Sequence, residues 1–306
     1  MKGDPMYFEQ FAVGQTFRAG PRVVTEADIA SFAALSGDDH PLHTDPVYAA
    51  GTRFGSVIAH GGLGSTIAAG LWVRSGAVSD SVVAALGEEW TWHAPIRPGD
   101  VLTLTATIVR REPRADRDTG AIDAGVITRY NELTNGEGVV VQSGHARTLV
   151  KASPGAEHEP RTDVGTLAWG RLLADALGAD ERFRSAVAEW DGTIGVRAGQ
   201  HEVHLRIYRG RVIEVTRRAP HGATFTFGAS ERTWADIITA DEAGFGVRLM
   251  SGEFEVSGDP YEYLRLTKAL SFLVDAVRTV ARPDSAAPAD ATGPAAQATD
   301  EQKALA

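Results

Sequence analysis

Two residue types that move protons sit close together near the N-terminus. Asp38 and His43 are five positions apart, separated by Asp39-His40-Pro41-Leu42. A carboxylate and an imidazole that ionises near neutral pH suit general acid–base work. Across a proline-containing turn both can point at one water. Each alone has a plainer reading: Asp38 as a turn former just past a helix, His43 as a hydrogen-bonded polar residue. Together, and followed by His60-Gly61-Gly62 at the start of a helical repeat, they favour catalysis. The first N–H groups of a helix are unpaired and its dipole favours negative charge there, while glycine lets a substrate approach the backbone. Gly61, with Gly62 beside it, is therefore a candidate anion-stabilising peptide. Asp38, His40 and His43 are also metal-ligand types, but no fourth ligand with recognised spacing follows, so no metal is expected. Asp39 reads as solvated and Asp45 as a helix cap.

The surrounding elements must hold these groups. Thr25-Glu26-Ala27-Asp28 fits a capping box, Ile29, Phe32 and Leu35 follow at helical spacing, and Gly37 is a helix stop. Asp45-Pro46 opens a short helix. Residues 60–75 carry Leu63, Ile67, Leu71 and Trp72 on one face, and small Gly64, Ser65, Ala68, Ala69 and Gly70 would let a sheet wrap closely. The period then changes to two. Trp90, Trp92, Ala94 and Ile96 alternate, with both tryptophans expected in the core, and Arg97-Pro98-Gly99-Asp100 turns the chain. Leu102, Leu104, Ala106 and Ile108 mark a half-buried strand, and strands near 125–133 and 139–151 join through Asn135-Gly136. Arg110, Arg111, Arg114 and Arg117, interleaved with Glu112, Asp116 and Asp118, read as a solvated hairpin tip. An antiparallel sheet wrapped around a central helix satisfies this order.

Ser36-Gly37-Asp38-Asp39-His40-Pro41-Leu42-His43, followed by Ile58-Ala59-His60-Gly61, resembles the MaoC-like dehydratases, which include the (R)-specific enoyl-CoA hydratases. Their signature is close to G-D-x-N-P-x-H; Gly37, Asp38, Pro41 and His43 match it, and His40 stands where the asparagine is usual. The likeness runs over roughly residues 6–150 and implies the hotdog fold. It assigns the acid–base pair to Asp38 and His43 and the oxyanion-binding N–H to Gly61, with Gly62, His40 and His60 at the substrate. The implied reaction adds water to a trans-2-enoyl-CoA to give a (R)-3-hydroxyacyl-CoA, or runs in reverse. No cofactor is implied, because coenzyme A is part of the substrate. Two alternatives stay open: a dehydratase of a specialised-metabolism thioester, suggested by His40, and a non-catalytic acyl-CoA or lipid carrier. The exposed edge of a hotdog sheet predicts a homodimer.

The chain has 306 residues, 43% of them hydrophobic, and a formal net charge of −10. That size suggests two domains, and the acidity argues against a nucleic-acid partner. With no cysteine there is no disulfide, thiolate site or cysteine nucleophile. No apolar run predicts a membrane span and no signal peptide follows Met1–Pro5, so a cytoplasmic protein is expected. The α+β reading divides the chain into a hotdog domain at 1–152, a linker at 153–162, a second α+β domain at 163–282 and a disordered tail at 283–306. The second segment predicts a helix over 163–178, strands at 201–208, 211–216 and 224–227, and helices near 231–240 and 260–280, with Leu264, Leu266, Leu270, Leu273 and Val277 on one face. Trp234-Ala235-Asp236-Ile237, Met250-Ser251-Gly252 and Ser257-Gly258-Asp259-Pro260 are similar to sterol carrier protein 2-like domains, implying a lipid or acyl ligand in an apolar tunnel. The pairing resembles part of the peroxisomal multifunctional β-oxidation protein, without its dehydrogenase and without a Ser-Lys-Leu address.

Overall fold

The computed structural model describes residues 6–78, 80–115, 122–154 and 163–281. The expected linker (from residue 155) and tail, and Asp116, Arg117 and Asp118, lie outside them. The first part runs β1 (Thr16–Val23), α1 (Glu26–Ser36), α2 (Pro41–Thr44), α3 (Pro46–Ala50), α4 (Gly61–Arg74), β2 (Val82–Trp92), β3 (Val101–Ala115), β4 (Ile122–Thr134) and β5 (Val140–Lys151). Its five strands form one antiparallel sheet in the order β1-β3-β4-β5-β2. Helix α4 lies against it: Leu63, Leu71 and Trp72 are buried with Leu104, Ile108, Ile127 and Val141. This is the expected hotdog arrangement.

Several details differ from the expectation. Only Gly64 and Ala68 of the small series are buried on α4, while Ala69 and Gly70 face out. Leu35 is exposed, and the buried line of α1 is Ile29 and Ala33. Strand β2 begins at Val82, where it pairs with β5 at Val150, although its first residues, Val-Val-Ala-Ala-Leu-Gly, do not alternate; Ala94 and Ile96 lie beyond its end. The unforeseen β1 carries Gly20-Pro21 and a register shift, which an edge strand tolerates. The β4–β5 hairpin forms, but its left-handed residue is Gly138 (φ 79°), and Asn135 Oδ1 accepts from the N–H groups of Glu137 and Val139. The expected solvated arginine tip fails at its base. Arg110 is buried, and Arg111 donates to the Phe11 carbonyl and covers the Phe8 ring.

The second part runs α5 (Leu167–Ala179), α6 (Glu181–Ala186), β6 (Asp191–Ala198), β7 (His201–Tyr208), β8 (Arg211–Thr216), β9 (Phe225–Ala229), α7 (Glu231–Thr239), α8 (Phe245–Met250), β10 (Glu255–Gly258), α9 (Pro260–Arg265) and α10 (Thr267–Ala281). Its sheet order is β10-β9-β6-β7-β8, with β6 and β9 parallel. Strand β6 and helix α6 were not foreseen. Thr166, not Asp163, caps α5, and Asp163 is buried, accepting the Arg111 N–H. The expected 260–280 helix breaks at Leu266. At 3.6 residues per turn Leu264 lies about half a turn from the other four, so it is exposed while Leu266, Leu270, Leu273 and Val277 are buried.

Helix α7 packs on the sheet's face away from α4. Glu231 pairs with buried Arg110, and Arg232 donates to Thr107 Oγ1 at 3.0 Å and pairs with Glu132. A Cβ on Gly14 would lie 2.3 Å from Thr239 Cγ2, so only glycine admits this approach. Among the described residues no helix is long and apolar enough to cross a membrane.

Candidate active site

Helix α1 delivers the chain to the site. Thr25 and Asp28 form the capping box, and Gly37 ends the helix in the left-handed region at φ 76°. Asp38 follows immediately, its N–H held by Ser36 Oγ at 3.2 Å. His40 then starts α2: its Nδ1 accepts the Leu42 N–H at 3.2 Å, with Pro41 in the first turn. An asparagine Oδ1 makes the same kind of cap, so histidine preserves the turn. The His40 ring packs edge-on to Tyr48 and does not line the cleft described below.

His43, near the end of α2, has its Nδ1 2.7 Å from the Ile58 carbonyl. A carbonyl only accepts, so Nδ1 carries the proton and the neutral ring leaves Nε2 bare as a base. The 58–60 segment that receives it is itself pinned, since the Ala59 N–H donates to the Ile96 carbonyl at 2.7 Å. His60 is 3% exposed and stacks on His43, with ring centroids 3.9 Å apart. Its Nε2–H donates to the Asp38 carbonyl at 2.8 Å, and its buried Nδ1 has no partner. One ligand-type atom from each of Asp38, His43 and His60 lies within 4.8 Å of the other two. Of the two further histidines expected at the site, His60 joins this cluster and His40 does not. The cluster is the one metal-capable group of three among the described residues; each imidazole donates one N–H to a carbonyl, which leaves its other nitrogen bare.

The cluster faces the start of α4. Gly61 and Gly62 occupy its first turn, and His60 provides no side-chain cap, so the first N–H groups are open to a ligand. A Cβ on Gly61 would lie 2.5 Å from Trp92 Nε1. Trp92 is 62% exposed: it forms a wall over the glycine instead of joining the core, whereas Trp90 packs against the core as expected. The open cleft has a volume of about 480 Å³ and is lined by Phe32, Asp38, His43, Phe54, His60, Gly61, Gly62, Trp92 and Gln142 among others. The structure therefore brings together Asp38, His43, His60, Gly61 and Gly62 and leaves His40 beside them as a cap.

Residues 8–129 match the family model described as MaoC like domain. The chain is 32% identical over 136 residues to an (R)-specific enoyl-CoA hydratase of Aeromonas caviae, covering 98% of that protein and 44% of this one. This chain belongs to the MaoC-like family. A second hydratase of that name, from Rhodospirillum rubrum, is 31% identical over 147 residues, with 92% of it and 48% of this chain covered. Protein MaoC of Klebsiella aerogenes is 37% identical over 112 residues, but the chain spans 33% of its length. The solved MaoC-like dehydratase from Rhodospirillum rubrum is 30% identical, with a TM-score of 0.44, 49% of this chain and 99% of that chain covered.

In this MaoC-like chain the geometry is suited to activating one water. His43, Asp38 and the open end of α4 line the same cleft. Sequence reasoning missed Trp92 as a cleft wall and Gln142 altogether. A polar residue between Val141 and Ser143 on a strand buried on both faces breaks no alternation, so periodicity could not flag it.

Proposed function

We propose that the chain is a hydro-lyase that adds water to a trans-2-enoyl-CoA to give a (R)-3-hydroxyacyl-CoA, or catalyses the reverse dehydration. The observation carrying this reading is the convergence of Asp38 and His43 on one cleft that also holds the open N-terminus of α4. The Aeromonas and Rhodospirillum relatives bear the hydratase name. In this scheme Asp38 and His43 hold a water, one of them takes its proton as oxygen bonds to C3, and a proton reaches C2. The charge developing on the thioester oxygen meets the α4 N–H groups of Gly61 and Gly62. The scheme uses no cofactor.

The test is loss of enoyl-thioester absorbance with crotonyl-CoA and with a long-chain trans-2-enoyl-CoA. Asp38→Asn should lower kcat about 10²–10⁴-fold while ligand affinity persists. A wild-type protein that binds but never turns over either thioester would instead be a carrier.

The same reading extends to the rest of the molecule. We infer a cytoplasmic protein that forms a homodimer; the dimer is supported by the edge strand β2 with Val83 and Leu86 exposed, and a monomeric mass in light scattering would reject it. A sterol-carrier-like role for the second part rests on its element order and glycine motif. Phe227, Trp234, Phe245 and Phe254 pack ring to ring between sheet and helices, at centroid distances from 4.5 to 5.9 Å, so a lipid would have to part them. Failure of acyl chains to raise the melting temperature would remove that role.

A further inference from the structure

Gln142 is buried in strand β5, 2% exposed, yet it lines the catalytic cleft. Its Nε2–H donates to the Gly61 carbonyl at 2.9 Å, and its Oε1 is buried with no partner. Leaving an amide oxygen buried and unpaired costs stability, so the side chain is held here for something other than packing. Helix α4 makes room for it. A Cβ on Gly64 would lie 2.4 Å from Oε1 and 2.6 Å from Nε2, and Gly64 has φ in the ordinary helical range, so the glycine serves space and not backbone freedom.

The target of the donated bond is informative. The Gly61 carbonyl belongs to the peptide that carries the Gly62 N–H. In a planar trans peptide the two point in opposite directions. In a helix the carbonyl points along the chain direction and the N–H points back toward the N-terminus, here the end of α4 that lines the cleft with Asp38 and His43. A donor fixed on that carbonyl fixes the direction of the Gly62 N–H, and it polarises the peptide so that the N–H becomes a better donor.

We infer that Gln142 is a positioning residue: it aims and polarises the Gly61–Gly62 peptide, so that the Gly62 N–H meets the thioester oxygen as negative charge develops on it. This rests on the hydratase reading above. It adds a side chain from the sheet, held across a helix cradle at Gly64, to the acid–base pair.

Two variants test it in the full-length protein. Gln142→Met keeps the volume and removes the donor. Gly64→Ala keeps the glutamine and pushes its amide away. Both should lower kcat about tenfold, because the Gly62 N–H then meets the charge that exists only in the transition state with poorer aim and weaker polarity, with KM changed less than about threefold. A spectroscopic readout separates aim from folding. In an Asp38→Asn background, trans-2,4-hexadienoyl-CoA should show a red-shifted absorbance when bound, because a polarised thioester carbonyl lowers its transition energy. Adding either variant to that background should shrink the shift while circular dichroism stays unchanged. If wild type turns over but the variants keep both kcat and the red shift, Gln142 is merely structural and the inference fails. If either variant lowers only the melting temperature, it fails likewise. If wild type turns over no enoyl thioester, the hydratase reading falls and takes this inference with it.

Discussion

His60 performs two tasks with one ring. Its Nε2–H ties the Asp38 main chain at 2.8 Å, and its face supports His43 at 3.9 Å. Phenylalanine would keep the face and lose the tie. His60→Phe should therefore lower kcat up to about tenfold, the worth of one hydrogen bond that steadies Asp38, with KM nearly unchanged. The melting temperature should barely fall, because the variant also removes a buried Nδ1 that lacks a partner. Steady-state kinetics and a thermal melt separate the two; an unchanged kcat would reduce His60 to packing.

At the level of elements, α2 decides what His40 is for. The ring caps the helix through Nδ1 and leans on Tyr48, away from the cleft. A capping role predicts that His40→Asn is nearly silent in both stability and chain-length preference, since Oδ1 replaces Nδ1. His40→Ala should cost about 1 kcal/mol, the usual loss for an N-cap, measured by urea unfolding. A changed substrate preference in His40→Asn would return His40 to the substrate site. The other short elements work similarly. Gly37, which ends α1, and Asp45, which caps α3 through its Val47 and Tyr48 N–H bonds, set where the catalytic turn begins and ends. Beneath Trp72 of α4, Arg129 lies 4.6 Å from the indole ring; burial lowers its pKa to about 10, so it stays cationic at neutral pH.

Over the whole molecule, the two sheets are joined through α7. The Arg110–Glu231 pair is nearly buried, with side chains 5% and 16% exposed. Removing one partner strands the other's charge. Arg110→Met should cost about 3 kcal/mol in denaturant unfolding, and the Arg110→Met/Glu231→Gln double variant should recover part of that. Additive single losses would show that the pair does not couple the two halves. Because this contact is on the sheet face opposite α4, the variants should leave KM for the thioester unchanged.

The sequence alone determined the parts written in local patterns. The capping box, Gly37 and Asp45-Pro46 marked the catalytic turn through backbone chemistry that neighbouring residues dictate. Period 3.6 placed α4 and period two placed β3, because each shows one buried face in its pattern, and Asn135-Gly136 marked the hairpin of β4 and β5. The carboxylate–imidazole pair was legible for the same reason, being five residues apart. Tertiary structure decided what sequence distance hides. Strand β1, broken by Gly20-Pro21, is a strand because β3 pairs with it. His60, and not His40, joins the cluster because its segment returns to Asp38 across 22 positions. Trp92 became a wall and not core because the glycine-opened helix end leaves it uncovered. Gln142 reaches the site from 81 positions beyond Gly61, a link set by the packing of β5 under α4 and by no local pattern.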